Sequence, residues 1–316
     1  MKPALVLTLL ALIGAAAVVW VKARMNEVRA IAAYPPQGEL LNIDGHQVHA
    51  VVQGDGPALV LIHGSSGNAR DYTFALAGRL AKTYRVISFD RPGLGYSDPI
   101  SPTGATIAQQ ADILAKAAAA LGAPKPVVLG HSYGGAVALA WAVHHPDALA
   151  GLVLVGAPSQ PWDTPLEGTY QQLSNPVIGP PMAALATAFV GPARVNTALE
   201  EIFAPQTPPV GYGDYVGAEL TLRRASLRHN AMQRANLLDE ITALQPRYGE
   251  ISVPVELVHG TADTTVGLKI HAIPFLGQVP QANLTPLDGI GHMPQHAAPD
   301  AVIAAIDRAS GRLARQ

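Results

Sequence analysis

The chain has 316 residues, of which 49% are apolar and 14% charged, with a formal net charge of −2 and no cysteine. This balance leaves no electrostatic footprint for nucleic acid or another polyanion, so the expected partner is a small neutral molecule. The length suffices for one large α/β domain or two small ones, in either case with a buried core, and the missing cysteine excludes disulfides, thiolate metal sites and thiol nucleophiles.

The N-terminal segment 1–24 stands apart. No charged residue occurs between Lys2 and Lys22, a length close to the roughly 20 residues that cross a bilayer as a helix. It is expected to be a single-pass transmembrane or signal-anchor segment, the chain's contact with a membrane. The alternative is export with a cleaved signal peptide, cut near the small residues 15–17. Lys2 on one side and Lys22, Arg24 and Arg29 on the other give too small a charge bias to select an orientation. Residues 25–37 read as a linker that ends at Tyr34-Pro35-Pro36, through which no helix continues.

From Gly38 onward, short apolar runs ending at glycine-rich turns alternate with longer alanine- and leucine-rich stretches. Residues 40–54, turning at Asp44-Gly45, read as an opening hairpin. Buried strands are expected at 58–62, 84–89, 126–129, 152–155, 255–258 and 284–287, and helices at 71–82, 105–121, 133–145 and 300–315. Such alternation predicts an α/β fold, with a mostly parallel sheet and helices on both faces. Residues 159–249 break the rhythm: they hold no convincing buried strand but many Pro, Gly and short amphipathic pieces. Strands of the same sheet flank them, so they read as a helical lid inserted between two parts of one core, 38–158 and 250–316.

The strongest local signal is Gly130-His131-Ser132-Tyr133-Gly134-Gly135, directly after a predicted strand and directly before a predicted helix. A serine on so sharp a turn adopts a strained backbone, and the residues two before and two after it must be small. Ser132 is thus the candidate nucleophile. Its hydroxyl needs a base within hydrogen-bond reach, and the base needs a group that fixes its tautomer. Downstream, Asp263 follows the strand 255–258 by a short turn, and His292 follows 284–287 on the glycine-flexed loop Gly289-Ile290-Gly291. Asp288 fits local turn chemistry instead, and His296 a surface or capping position before the last helix. The turn after 152–155 carries no carboxylate. The anion of a tetrahedral intermediate needs two preorganised donors. The backbone N–H groups of Tyr133 and of Ser65, in His63-Gly64-Ser65-Ser66-Gly67, are expected to supply that oxyanion hole. The lysine and spacing of a phosphate-binding loop are missing, and the 11 histidines form no H-E-x-x-H or comparable cluster. Neither a cofactor nor a metal is required.

From about residue 38 to the C-terminus, the chain resembles the bacterial, lid-bearing serine hydrolases of the α/β-hydrolase superfamily, with Ser, Asp and His in that fold's chain order. Besides the nucleophile elbow formed by Gly130-His131-Ser132-Tyr133-Gly134-Gly135, His63-Gly64 is similar to the family's oxyanion loop. Phe89-Asp90-Arg91-Pro92-Gly93-Leu94-Gly95-Tyr96-Ser97-Asp98 is similar to the pocket-shaping loop after its fourth strand; Asp90 and Arg91 carry over as structural residues only. Haloalkane dehalogenases and soluble epoxide hydrolases of similar pattern use aspartate where this chain has Ser132. The resemblance therefore implies cleavage of a carboxylic ester or related acyl bond of a small to medium apolar substrate, through an acyl-enzyme. Carbon–carbon bond hydrolysis or proline-aminopeptidase-like chemistry is a second reading, and a non-catalytic ligand-binding protein on the same scaffold a third.

Overall fold

The computed structural model describes residues 3–312. Its sheet has eight strands: β1 (Glu39–Ile43), β2 (His46–Gln53), β3 (Ala58–Ile62), β4 (Arg85–Phe89), β5 (Val127–His131), β6 (Gly151–Val155), β7 (Val255–Gly260) and β8 (Ala282–Leu287). Their spatial order is β1-β2-β4-β3-β5-β6-β7-β8. The hairpin β1–β2 and the β2–β4 pair are antiparallel, and every other neighbouring pair is parallel.

The apolar runs are continuous rather than alternating because the sheet is covered on both faces. In β3, Val60 and Ile62 join one core layer with Val137, Leu139 and Trp141 of the helix Tyr133–His144. Leu59 and Leu61 point the other way and pack with Val302 and Ile306 of the helix Pro299–Ala309. The helix Ile107–Ala120 starts where a capping box fixes it: the Gln109 N–H donates to the Thr106 hydroxyl, and the Thr106 N–H to the Gln109 side chain. This reciprocal pairing satisfies two otherwise orphaned donors.

Four expectations change. The stretch 71–82 is two short helices, Arg70–Thr73 and Leu76–Leu80, because Ala75 between them leaves helical geometry at φ −150° and ψ −50°. The last strand, β8, is half-buried rather than buried, since it lies at the edge of the sheet with only β7 beside it. The closing helix ends at Ala309, and residues 313–315 of its expected span lie outside the described residues, as do Met1 and Lys2.

The fourth change is at the N-terminus, where one helix, Pro3–Ala33, runs through Lys22-Ala23-Arg24 and most of the expected linker. Lysine and arginine are good helix formers, so charge ends the apolar run without ending the helix. Its apolar window is exposed throughout and long enough to cross a membrane. Its last turns are part of the folded body instead: Ala23 and Ala30 are buried, Asn26 Nδ2 donates to Thr187 O at 3.0 Å, and Glu27 accepts from Arg224 Nε and Nη2 at 2.8 Å each.

Between β6 and β7 the chain is helical, chiefly Gly168–Ser174, Gly179–Phe189, Pro192–Phe203, Tyr212–Val216 and Arg224–Leu244. This insertion leaves the sheet at the C-terminal end of β6 and re-enters at the start of the parallel strand β7, and on its way it borders the cavity lined by candidate site residues.

Candidate active site

Ser132 occupies the turn between β5 and the helix Tyr133–His144, at φ 50° and ψ −124°. Such a conformation is costly for a residue with a side chain and persists only where its surroundings enforce it. Here Ser132 N donates to Val155 O at 2.9 Å, and Gly135 N donates to Ser132 O at 2.8 Å. A Cβ at Gly130 would meet Gly134 O at 2.1 Å, and one at Gly134 would meet Ile62 O at 2.1 Å. The two small residues are therefore required by backbone approach, as the sequence pattern implies.

Asp263 follows β7 and His292 follows β8. His292 Nδ1 lies 2.7 Å from Asp263 Oδ2, with both side chains buried. Asp263 Oδ1 accepts from Thr265 N at 2.9 Å and Val266 N at 2.8 Å. Burial pushes the Asp263 carboxyl upward, but the bond and charge of His292 outweigh it and hold the group below its ordinary value. An ionised Asp263 accepts, so the imidazole carries its proton on Nδ1 and its lone pair on Nε2. On the backbone side, His131 Nε2 lies 2.8 Å from His292 O and ties the histidine loop to the residue before Ser132. Asp288 is elsewhere, accepting from the Thr261 hydroxyl at 3.2 Å on the exposed surface.

Ser65 lies in the loop after β3. Its neighbour Ser66 has φ 56° and is held from above by the insertion: Ser66 N donates to Asn230 Oδ1, and Asn230 Nδ2 to the Ser66 hydroxyl, both at 2.9 Å. Tyr133 N–H opens the helix Tyr133–His144, where the first backbone donors have no partner within the helix. Ser65, Ser132 and His292 share the lining of one cavity of about 500 Å³. The insertion contributes Val195, Leu199, Ile202 and Val216 to the same wall.

The profile of the family described as the alpha/beta hydrolase fold matches residues 57–299. The chain belongs to that family. Among relatives of this hydrolase, haloalkane dehalogenase 2 of Mycobacterium tuberculosis is 25% identical over 288 residues, 86% of this chain and 94% of the relative. A thermophilic esterase from Thermogutta terrifontis superposes with a TM-score of 0.69 at 23% identity, covering 86% of this chain and 97% of its own. A membrane phospholipase A, described as a bacterial virulence factor, superposes with a TM-score of 0.66 at 21% identity over 98% of this chain and 100% of its own. At such identities the superpositions show a common fold.

One residue behind the hydrolase's cavity wall departs from the sequence reading. His296 is neither a surface nor a capping residue: its side chain is buried, with Nε2 2.7 Å from Asp71 Oδ1. Tyr212 of the insertion donates to the same oxygen at 2.6 Å. Asp71 lies in one of the two short helices, Arg70–Thr73, where the sequence reads as a single longer helix; this misplaced boundary hid the pairing.

Proposed function

We propose that this hydrolase is a serine esterase in which Ser132 is the nucleophile, His292 the general base and Asp263 the group that orients and stabilises the imidazolium. The observation that carries the reading is the 2.7 Å Asp263–His292 pair, whose histidine lines the same cavity as Ser132 on its strained turn. Ser132 Oγ attacks the ester carbonyl as its proton passes to His292 Nε2. Collapse of the tetrahedral intermediate breaks the bond to the leaving alkoxide, which takes that proton from His292. Water then attacks the acyl-enzyme in the same way and frees the carboxylic acid. The Ser65 and Tyr133 N–H groups meet the anion at each tetrahedral stage. Losing one such donor typically costs about 10²–10³ in kcat.

An apolar acyl group is favoured by the Val195, Leu199 and Ile202 stripe on the cavity wall. Dehalogenation and epoxide opening are disfavoured by serine at the nucleophile. We also read Pro3–Ala33 as an uncleaved membrane anchor, because one unbroken helix carries the apolar part through residues 15–17 to turns that Glu27 and Arg224 fasten to the insertion. A membrane-dissolved ester is then an accessible substrate, in keeping with the activity named for the superposed phospholipase.

A fluorophosphonate probe tests the chemistry. Detergent-solubilised full-length protein is expected to label stoichiometrically, and Ser132→Ala to lose both labelling and hydrolysis of p-nitrophenyl butyrate. A folded wild-type protein that neither labels nor turns over would leave the non-catalytic binding reading in its place.

A further inference from the structure

Arg91 follows β4 and is fully buried, yet among the described residues no carboxylate pairs with it. Removing a charge from water is expensive, and a buried guanidinium ordinarily has an acidic partner. Here neutral oxygens satisfy it: Nε donates to His63 O at 2.9 Å, Nη2 to Gly64 O at 3.0 Å, and Nη1 to Gln110 Oε1 at 2.9 Å and Gln233 Oε1 at 2.7 Å. The Tyr133 ring lies 4.3 Å from the guanidinium carbon. Burial lowers the group to about 10, which leaves it charged at neutral pH. Its field is hydrogen-bonded but not cancelled.

The identity of those acceptors is informative. Gly64 C=O and Ser65 N–H are opposite ends of one planar peptide unit, so whatever fixes the oxygen fixes the direction of the N–H. Besides Arg91, Gly64 O accepts from His63 Nδ1 at 2.8 Å and from Gly67 N at 3.4 Å. The Arg91 N–H occupies His63 Nε2 at 3.0 Å, which sets the tautomer with the proton on Nδ1. Donors gathered on one carbonyl polarise its peptide and strengthen the N–H at the other end. The second expected oxyanion donor, Tyr133 N–H, belongs to the residue whose ring packs against the same guanidinium.

We propose that Arg91 is a positioning residue for oxyanion stabilisation: from behind the loop its guanidinium clamps the Gly64–Ser65 peptide so that the Ser65 N–H faces the reacting carbonyl, and its unneutralised charge finds a counter-charge only when the oxyanion forms. This role rests on the serine-esterase reading and deepens it. Because the interaction is gained in the transition state rather than in the bound ester, it acts on kcat and spares KM.

Arg91→Met and Arg91→Lys test it in the full chain. With p-nitrophenyl butyrate, Arg91→Met is expected to lower kcat by about 10–100-fold while KM stays within about twofold. Affinity for a trifluoromethyl ketone, which forms an anionic adduct on the serine, falls by the same factor. Affinity for an alkyl alcohol of equal chain length, which forms none, does not. Arg91→Lys keeps the charge with fewer directed donors and recovers part of the loss. A folded Arg91→Met with unchanged kcat and ketone affinity, or with a loss confined to KM or thermal stability, overturns the proposal. Should Arg91→Met fail to fold, the ratio of ketone to alcohol affinity in Arg91→Lys decides by the same criterion. A wild-type protein that neither labels with a fluorophosphonate nor binds the ketone overturns the esterase reading itself.

Discussion

The helices Tyr133–His144 and Pro192–Phe203 are both twelve residues long, and both border the cavity, the first beginning at Ser132 and the second lining the wall. In the first, every residue from Tyr133 to Val143 is buried; in the second, only Phe203 is. Val195, Leu199 and Ile202 recur at helical spacing as a half-buried stripe toward the cavity, whose rim also takes in Arg194, Ala198 and Glu201 of the same helix. The contrast separates two tasks. Groups that need sub-ångström placement are held by a helix locked into the sheet, whereas groups that need only apolar surface sit on a helix with little to restrain it.

If that division is right, the largest effects come from the locked side. Asp263→Asn presents an amide donor to His292 Nδ1 and so favours the tautomer with Nε2 protonated, the wrong form for a base. kcat is expected to fall on the order of 10³–10⁴-fold, as losing the tautomer does in other Ser-His-Asp sites. A loss of under tenfold, measured with p-nitrophenyl butyrate, would remove Asp263 from the mechanism.

Acid should also act on the locked side first. Burial lowers His63, His131 and His271 from 6.5 to about 4 each. The unfolded chain takes up these protons as pH falls below about 6.5, whereas the folded chain resists until about 4. Stability is therefore full above the first value, declines between the two, and levels off below the second. Each shift of this size corresponds to roughly 3 kcal/mol. Glu240, pushed up to about 7 mainly by burial, works in the opposite direction between its ordinary value and neutrality and offsets about one of the three. Urea midpoints at pH 7 and pH 5 should show the net loss, and His271→Gln should flatten the slope; an unchanged midpoint would mean these histidines are not buried neutral.

The smallest effect belongs to the exposed helix. Leu199→Ala shortens one side chain of the apolar wall and enlarges the cavity without touching the elbow, so preference among p-nitrophenyl esters is expected to shift toward longer acyl chains by about 3–10-fold. The thermal midpoint should barely move. A global loss of activity on all chain lengths would erase the distinction between the two helices.

The same contrast explains what could be read from the sequence. Buried parallel strands leave continuous apolar runs, so β3 is delimited residue for residue, and the elbow glycines announce a backbone crowding that the structure confirms at Gly130 and Gly134. The insertion gave no such signal, because its helices take their positions from partners far along the chain, such as Asn230 on Ser66 or Tyr212 on Asp71. Arg91 was visible only as part of a loop motif; which oxygens it grips depends on the ends of β3 and β4 meeting two helices, Ile107–Ala120 and Arg224–Leu244. The helical continuation past Arg24 was missed because a change from apolar to charged residues marks a change of solvent, not of backbone conformation.

That continuous helix has a geometric consequence. At 1.5 Å per residue its 31 residues form a rod ~46 Å long, of which the uncharged part accounts for ~28 Å. With the remaining turns fastened to the insertion, the catalytic body is a head on a stiff stalk rather than on a flexible tether. If the stalk spans a bilayer, the cavity is confined to a thin layer beside the surface. Its encounters with bilayer-dissolved esters then become a two-dimensional search, governed by surface density and lateral diffusion rather than by bulk concentration.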